Sequence, residues 1–258
     1  MDRQTTALIT GASSGLGAEL AREFARHGHG LVLVARDSAR LDRLAEELRI
    51  GGSIQVTTLV KDLALSNAAR DLVAELSQLG LSIDILVNNA GMIVYGEFSQ
   101  TDWEKEERMI GVNLIALTQL TKLLLPAMLA RGYGRILNIG SVGSFTPSPR
   151  NAVYSATKAY LLSLSEALAQ EVMGSGVSVT ALCPGAVRTE LQARAGMTHV
   201  RLLQSGVLEA ADVARVGYRA LMAGRGVVVY GPATRIQVFL TRFLPRAWVA
   251  RLAGRMLE

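Results

Sequence analysis

The 258 residues predict an α/β chain built as one doubly wound, seven-stranded parallel sheet with helices on both faces. Three observations carry this. Short apolar runs of strand type alternate along the chain with longer segments of helical spacing. A glycine-rich turn, TGASSGLG at 10–17, joins the first strand pattern to the first helix pattern. No repeat or shift in composition divides the chain, so 1–258 reads as a single domain, with 232–258 as an amphipathic extension past the last strand.

The first strand is the apolar run Ala7, Leu8, Ile9, ending at Thr10, of the kind that is buried on both faces. The helix that follows the turn has Leu20 and Phe24 on one face and stops at a glycine. Strand, glycine turn and helix together make a diphosphate cradle. Gly11 permits a turn that a Cβ would block, Gly15 lets backbone approach an anion, and Gly17 lets helix and strand pack closely. The helix N-terminus adds unbonded N–H groups and the positive end of its dipole. The spacing is G-x-x-x-G-x-G, where G-x-G-x-x-G is the commoner form.

Strands are then expected at 30–35 (GLVLVA), 53–60 (SIQVTTLV), 83–89 (IDILVNN), 134–141 (GRILNIGS), 176–183 (GVSVTALC) and 227–231 (VVVYG). Helices are expected from near Ser38, with Leu41, Leu44, Ala45 and Leu48 as the apolar face, and over 68–79, 102–131, 152–173 and 210–222. Right-handed crossovers of this kind imply parallel strands. Ligands of such sheets sit beyond the carboxyl ends of the strands. The residues there are Arg36 and Asp37, Asp62, Asn89 to Gly91, Ser141, and Pro184 to Thr189.

Composition narrows the classes. Half the residues are hydrophobic and 19 % are charged, so the chain is globular. The start of the chain runs from polar residues directly into a strand and has no secretory pattern. The apolar stretch 112–130 carries Asn113, Gln119, Lys122 and Pro126 and does not read as a membrane span. Cys183 is the only cysteine, which fits a reducing cytoplasm. His27, His29 and His199 have no metal-ligand spacing with acidic neighbours; the first two read as solvated residues at a helix end, and no metal is expected. The net charge is +5, but Arg235, Arg242, Arg246, Arg251 and Arg255 set against Glu258 put +4 of it in the tail. Elsewhere no basic block is interleaved with aromatics, so no nucleic acid partner is expected.

Tyr154 and Lys158 stand four apart in the helix 152–173 and share a face. A phenol is a poor base at neutrality, and a nearby ammonium favours its ionised form. The pair can give or take a proton at a carbonyl or alcohol oxygen, and Ser141 could hydrogen-bond the same oxygen. A Tyr/Lys pair alone is equally an ordinary helix face. TGASSGLG at 10–17, NNAG at 88–91, Asn113 in a helix, Ser141, YSATK at 154–158 and PG at 184–185 occur in this order. Together they resemble the short-chain dehydrogenase/reductase family over about residues 5–231, with its single-domain Rossmann fold.

The resemblance implies roles. Tyr154 would be the general acid in reduction and the base in oxidation. Lys158 would lower its pKa and bond the nicotinamide ribose, Ser141 would hold the substrate oxygen, and Asn113 would keep a water linking Lys158 to solvent. Gly11, Ser13, Ser14, Gly15, Leu16 and Gly17 would form the pyrophosphate turn. Asp62 and Leu63 would meet adenine, Asn89, Ala90 and Gly91 would support the adenosine ribose, and Pro184, Gly185, Val187 and Thr189 would hold the carboxamide face of the nicotinamide. Cys183 would be a buried neighbour of Pro184, not a reactive thiol. Dimers or tetramers would form through the helices at 102–131 and 152–173. The tail is similar to that of hydroxysteroid-dehydrogenase-like members.

Where an NAD enzyme ends its second strand in Asp or Glu, this chain has Ala35 followed by Arg36. Arg36 favours NADP(H), with Asp37 read as a helix N-terminal residue. The loops 92–98, 142–149 and 186–208 offer Met92, Ile93, Tyr95, Phe98, Phe145, Leu191, Met197 and Leu203 to a small apolar carbonyl or alcohol substrate. In the tail, Trp248, Leu252 and Met256 share a face, with Arg251 and Arg255 offset from it. Such a helix could cover the substrate cleft, meet a second subunit or lie on an anionic membrane. The expectation is thus an NADP-dependent carbonyl reductase or alcohol dehydrogenase. The alternatives are a cofactor-binding regulator without turnover and a membrane-surface lipid-binding protein.

Overall fold

The computed structural model describes residues 4–51, 54–197, 200 and 206–257. Its elements are β1 (Thr6–Thr10), α1 (Gly15–Arg26), β2 (Gly30–Ala35), α2 (Ser38–Ile50), β3 (Val56–Val60), α3 (Ala68–Gln78), β4 (Ile85–Asn88), α4 (Trp103–Ile110), α5 (Leu117–Ala130), β5 (Gly134–Ile139), α6 (Ala152–Glu171), β6 (Val177–Pro184), α7 (Glu190–Arg194), α8 (Ala210–Met222), β7 (Val227–Tyr230), α9 (Pro232–Leu240) and α10 (Arg246–Met256). The strands form one parallel sheet in the order β3-β2-β1-β4-β5-β6-β7, so strand order reverses between β1 and β4. Ser53, expected to open the third strand, lies outside the described residues, and β3 itself begins at Val56.

Alternate residues of each strand feed two cores, because successive side chains of a strand point to opposite faces. Ala7, Ile9, Leu31, Leu33 and Leu182 pack under α1, α2 and α8, with Phe24 fully buried among them. Leu8, Val32, Val34, Leu86 and Ile136 pack under α3 and α5. The sheet is therefore covered on both faces, as expected.

The expected helix over 102–131 is α4 and α5 joined by a π-helical turn, Gly111–Ala116. This helix is long and apolar enough to cross a membrane by length and composition. Its Val112, Ala116, Leu120, Leu124 and Met128 are nevertheless packed onto the sheet. The π turn was not legible: it is one register slip inside an otherwise helical pattern.

One histidine expectation needs correction. His29 is buried, its ring bonded to Thr5 Oγ1 and to the Tyr218 hydroxyl at 3.0 Å. His27 stacks on Tyr218 at 4.1 Å. Tyr218 of α8, far along the chain, closes over the end of α1 and takes the His29 ring out of the solvated position that a local reading gives it, while His27 stays exposed at the helix end as expected. Burial then pulls the His29 pKa below the usual histidine value, with the nearby His27 adding to it.

Candidate active site

The carboxyl ends of β1, β2, β4, β5 and β6 open into one cavity of about 660 Å³. Its floor is the glycine turn. Gly11 has φ +67°, and a Cβ there would come within 2.9 Å of Ala90 Cα. At Gly17 a Cβ would meet the Gly11 carbonyl oxygen at 2.2 Å, so α1 lies against the turn as only glycine allows. Asn89 clamps this turn from β4, donating from Nδ2 to the carbonyls of Thr10 (2.9 Å) and Gly11 (3.2 Å). The Thr10 hydroxyl in turn accepts from the backbone N–H groups of Asn89 and Ala90. Ser14 opens α1 with no side-chain cap bond, which leaves the first N–H groups of the helix facing the cavity. A built anion cradle with unbonded donors fits a pyrophosphate.

At the far end of the same cavity stand Ser141, Tyr154 and Lys158. A buried polar chain positions the helix that carries the last two. Asn88 Nδ2 donates to Asn138 Oδ1 at 2.9 Å, and Asn138 Nδ2 donates to Ser165 Oγ of α6 at 2.9 Å. Buried networks of this kind fix one register between sheet and helix. Lys158 donates from Nζ to the Ile139 carbonyl at 2.7 Å, and Nζ lies 5.7 Å from the centre of the Tyr154 ring. Ser141 follows β5 in extended backbone and its hydroxyl accepts from the Gly143 N–H at 3.1 Å.

Burial dominates the protonation of these groups in the protein alone. It pushes the Tyr154 phenol up to about 12, with the Ser141 hydroxyl pulling the other way. It lowers Lys158 to about 8. Burial also lifts the Cys183 thiol to about 11, which suits a packing residue. The sequence expectation that Lys158 brings the phenol down is thus not met without a bound ligand. Desolvation is the largest influence on the phenol, and the amine stands 5.7 Å from the ring centre.

Of the expected site residues, Gly11, Ser13, Ser14, Gly15, Leu16, Gly17, Arg36, Asp62, Leu63, Asn89, Ala90, Gly91, Ser141, Tyr154, Lys158, Pro184, Gly185, Val187 and Thr189 all line the cavity. Asn113 does not. Buried in the π turn, it accepts from Met92 N–H at 2.8 Å and donates to the Met92 carbonyl and to Thr157 Oγ1. Its side chain pins the loop after β4 rather than facing a ligand. Asp37 caps α2, accepting from Arg40 N–H at 3.0 Å, as read from the sequence. Asp62 is bonded by Arg108. Burial raises its carboxyl, but that bond, the Ala64 N–H and the charges of Arg108 and Arg36 hold it below the usual range.

The substrate loops are sorted differently from expectation. Met92, Ile93, Leu191 and Met197 line the cavity, and Leu203 lies outside the described residues. Phe98 is 69 % exposed, Phe145 packs with Leu162 and Cys183, and the Tyr95 hydroxyl donates to the Leu257 carbonyl. The wall also holds residues of the expected loop 142–149 and of the tail, together with Asn151, that, Met256 apart, the sequence did not single out individually. Thr146, Ser148 and Asn151 come from the turn before α6, and Gln237, Ala253, Met256 and Leu257 from α9 and α10. The tail therefore covers the cleft. Val249, Ala253 and Leu257 face inward, while Trp248 and Leu252 share the outward face. Among the described residues no cluster of His, Cys, Asp and Glu could hold a metal ion.

The chain is 41 % identical over 191 residues to the oxidoreductase UcpA of Salmonella typhimurium, covering 72 % of this chain and 70 % of that one. The structure superposes on a short-chain dehydrogenase from Sphingobium yanoikuyae in complex with NADPH with a TM-score of 0.82, at 39 % identity over 93 % of both chains. A bulky-bulky ketone specific alcohol dehydrogenase from Comamonas testosteroni gives 0.78 at 33 % identity, over 93 % of this chain and 92 % of that one. A short chain dehydrogenase/reductase from Burkholderia phymatum in complex with NAD gives 0.82 at 27 % identity, over 92 % of both. The family model for short chain dehydrogenases matches residues 5–199. A glycine cradle and a Ser–Tyr–Lys group facing one cavity are thus found in a chain that belongs to the short chain dehydrogenase family.

Proposed function

We propose that this oxidoreductase is NADP(H)-dependent and moves a hydride between nicotinamide and the carbonyl or secondary alcohol of an apolar substrate, with reduction as its working direction. The observation that carries the reading is that Ser141, Tyr154 and Lys158 share one cavity with the Gly11–Gly17 cradle. The cradle and the uncapped start of α1 would hold the pyrophosphate, Asn89 to Gly91 the adenosine ribose, Asp62 and Leu63 the adenine, and Pro184 to Thr189 the carboxamide. The bound cofactor supplies the hydride chemistry. Ser141 Oγ donates to the substrate carbonyl oxygen and orients it. Tyr154, neutral with its raised pKa, donates the phenolic proton to that oxygen. Lys158 stabilises the phenolate left behind, and a water relay near the π turn returns the proton.

Arg36 supports the NADP preference. It is exposed at the cavity rim, no acid ends β2, and Asp37 is engaged as a cap. A charge-assisted bond to a 2′-phosphate is worth about 1.5–3 kcal/mol. Met92, Ile93, Leu191 and Met197 support an apolar ketone, as does the ketone specificity in the description of the Comamonas relative. The chain is read as a single cytoplasmic domain over 1–258, acting as a homodimer or homotetramer through α4–α5 and α6. The outward Phe239, Phe243, Trp248 and Leu252, beside the exposed Arg242, Arg246 and Arg251, favour a second role for 232–258 as a contact with an anionic membrane surface. Co-sedimentation with anionic vesicles tests that role.

Tyr154→Phe tests the central reading. NADPH oxidation with a panel of lipophilic ketones should fall roughly 10²–10⁴-fold, while NADPH still binds. Unchanged turnover would remove Tyr154 as the proton donor.

A further inference from the structure

Asn151 lines the cavity from the N-cap of α6, one turn before Tyr154, and is only 7 % exposed. Its backbone is fully used: the N–H donates to the Ser148 carbonyl at 3.1 Å, and its carbonyl accepts from Ser155 N–H at 2.9 Å. Its side chain is not. Asparagine at this position ordinarily caps the helix with its side-chain oxygen, but no such bond is made, and Oδ1 is buried without a partner. Four other buried side-chain atoms lack partners among the described residues, on Asn88, Arg135, Ser178 and Thr180, and none of those residues lines the cavity. The neighbouring hydroxyls are locally committed. Ser148 donates to the Thr146 carbonyl at 3.1 Å, and Thr146 donates to the Val142 carbonyl at 3.4 Å.

The turn that places Asn151 is strained. Arg150 has φ +62° and is the one non-glycine residue in the left-handed region among those described. Its carbonyl accepts from Gly96 N–H at 2.8 Å, which ties the loop after β4 to this turn. A strained residue held in place beside an unbonded buried amide is the pattern of a ligand contact rather than of a fold contact.

We infer that Asn151 is a specificity residue that hydrogen-bonds a second polar group, a hydroxyl, on the carbonyl substrate, so that the preferred substrates are hydroxyketones. The inference rests on the oxidoreductase reading above and narrows its substrate class. Residues three apart at a helix start have Cβ atoms about 5–6 Å apart. With the reacting oxygen at Tyr154, the hydroxyl therefore belongs on a carbon α, β or γ to the carbonyl. A hydroxyl both donates and accepts, and so suits either end of the amide. A hydroxylated ligand gives the unpartnered amide its bond, whereas a purely apolar one leaves it unmet, and sites of this kind reject the analogue that lacks the group.

The test pairs propiophenone with 3-hydroxypropiophenone. Steady-state turnover with NADPH is measured for both, and binding of both to the NADP⁺-loaded enzyme by calorimetry. The wild type should favour the hydroxyketone roughly 10–100-fold in kcat/KM and in affinity, the scale of a buried hydrogen bond. Asn151→Leu should erase that preference, bringing the ratio of the two ketones to near one in both kcat/KM and affinity. Because the amide makes no internal bond, Asn151→Leu should also keep or raise Tm, and Asn151→Ser, which retains a cap residue, provides a second folded variant with the preference reduced. Equal treatment of the two ketones by the wild type, or equal losses on both in the variants, would overturn the inference. A binding preference without turnover of either ketone would uphold the subsite and sink the reductase reading.

Discussion

The two ends of the cavity are built by different means. The cofactor end is made of backbone: Gly11, Gly15 and Gly17 in a turn where a Cβ would meet atoms at 2.2–3.1 Å, clamped by Thr10 and Asn89 from adjacent strands. The substrate end is made of side chains from four separate places: the loop after β4, the turn before α6, α7, and the α9–α10 tail. The first admits almost no substitution, because atoms already touch. The second can be rebuilt by changing one side chain, because its walls are held by loops and a half-exposed helix pair. Constancy of cofactor geometry and freedom of substrate choice follow from that division.

The division can be broken at its rigid end. Gly17→Val should abolish NADPH binding and leave little folded protein, since no rotamer of valine clears the Gly11 carbonyl 2.2 Å from the new Cβ. Circular dichroism and cofactor fluorescence read the outcome, and a folded, NADPH-binding variant would refute the close approach. At the rim, where side chains return, the change should be graded. Arg36→Glu should lower NADPH affinity roughly ten- to hundredfold and reverse the preference toward NADH. Unchanged selectivity would take Arg36 out of the 2′-phosphate site.

The substrate end should respond more gently. Ala253→Phe fills the wall contributed by α10 and should lower kcat/KM for apolar ketones roughly tenfold, with NADPH affinity within about threefold. A matched loss of cofactor binding would show that the two ends are not independent.

The smallest effect sharpens the comparison at its junction, where burial opposes charge. Lys158 titrates at about 8 in the folded protein and at 10.5 in the unfolded chain, so the unfolded state binds more protons between those values. Stability should therefore rise from about pH 8 upward. Tyr154 has its folded value, about 12, above the unfolded 10, so its contribution falls once pH passes 10. Net stability should peak just above pH 10, about where the two slopes cancel. Wild-type Tm should climb a few degrees between pH 7.5 and 9.5, and Lys158→Met should flatten that climb. A flat wild-type profile would mean that Lys158 is better solvated than its surroundings suggest.

Much of this was legible in the sequence, because it depends on contacts close along the chain. Alternating apolar runs and helical spacings specify the strands and crossovers, since each pattern has its own period. Gly11 and Gly17 announce the cradle because a missing Cβ is itself the structural requirement. Tyr154 and Lys158 share a face by helical spacing alone. Tertiary structure decided the rest. Tyr218 closing over α1 buried His29. The π turn directed Asn113 onto Met92 and away from the cavity. Packing of α10 against the cleft turned Val249, Ala253 and Leu257 inward and left Trp248 and Leu252 outward, with Met256 at the cavity wall. The unbonded amide of Asn151 appears only when the turn before α6 is set beside the cleft. In each case the deciding partner is distant in the chain or the orientation is set by packing, and local periodicity carries no record of either.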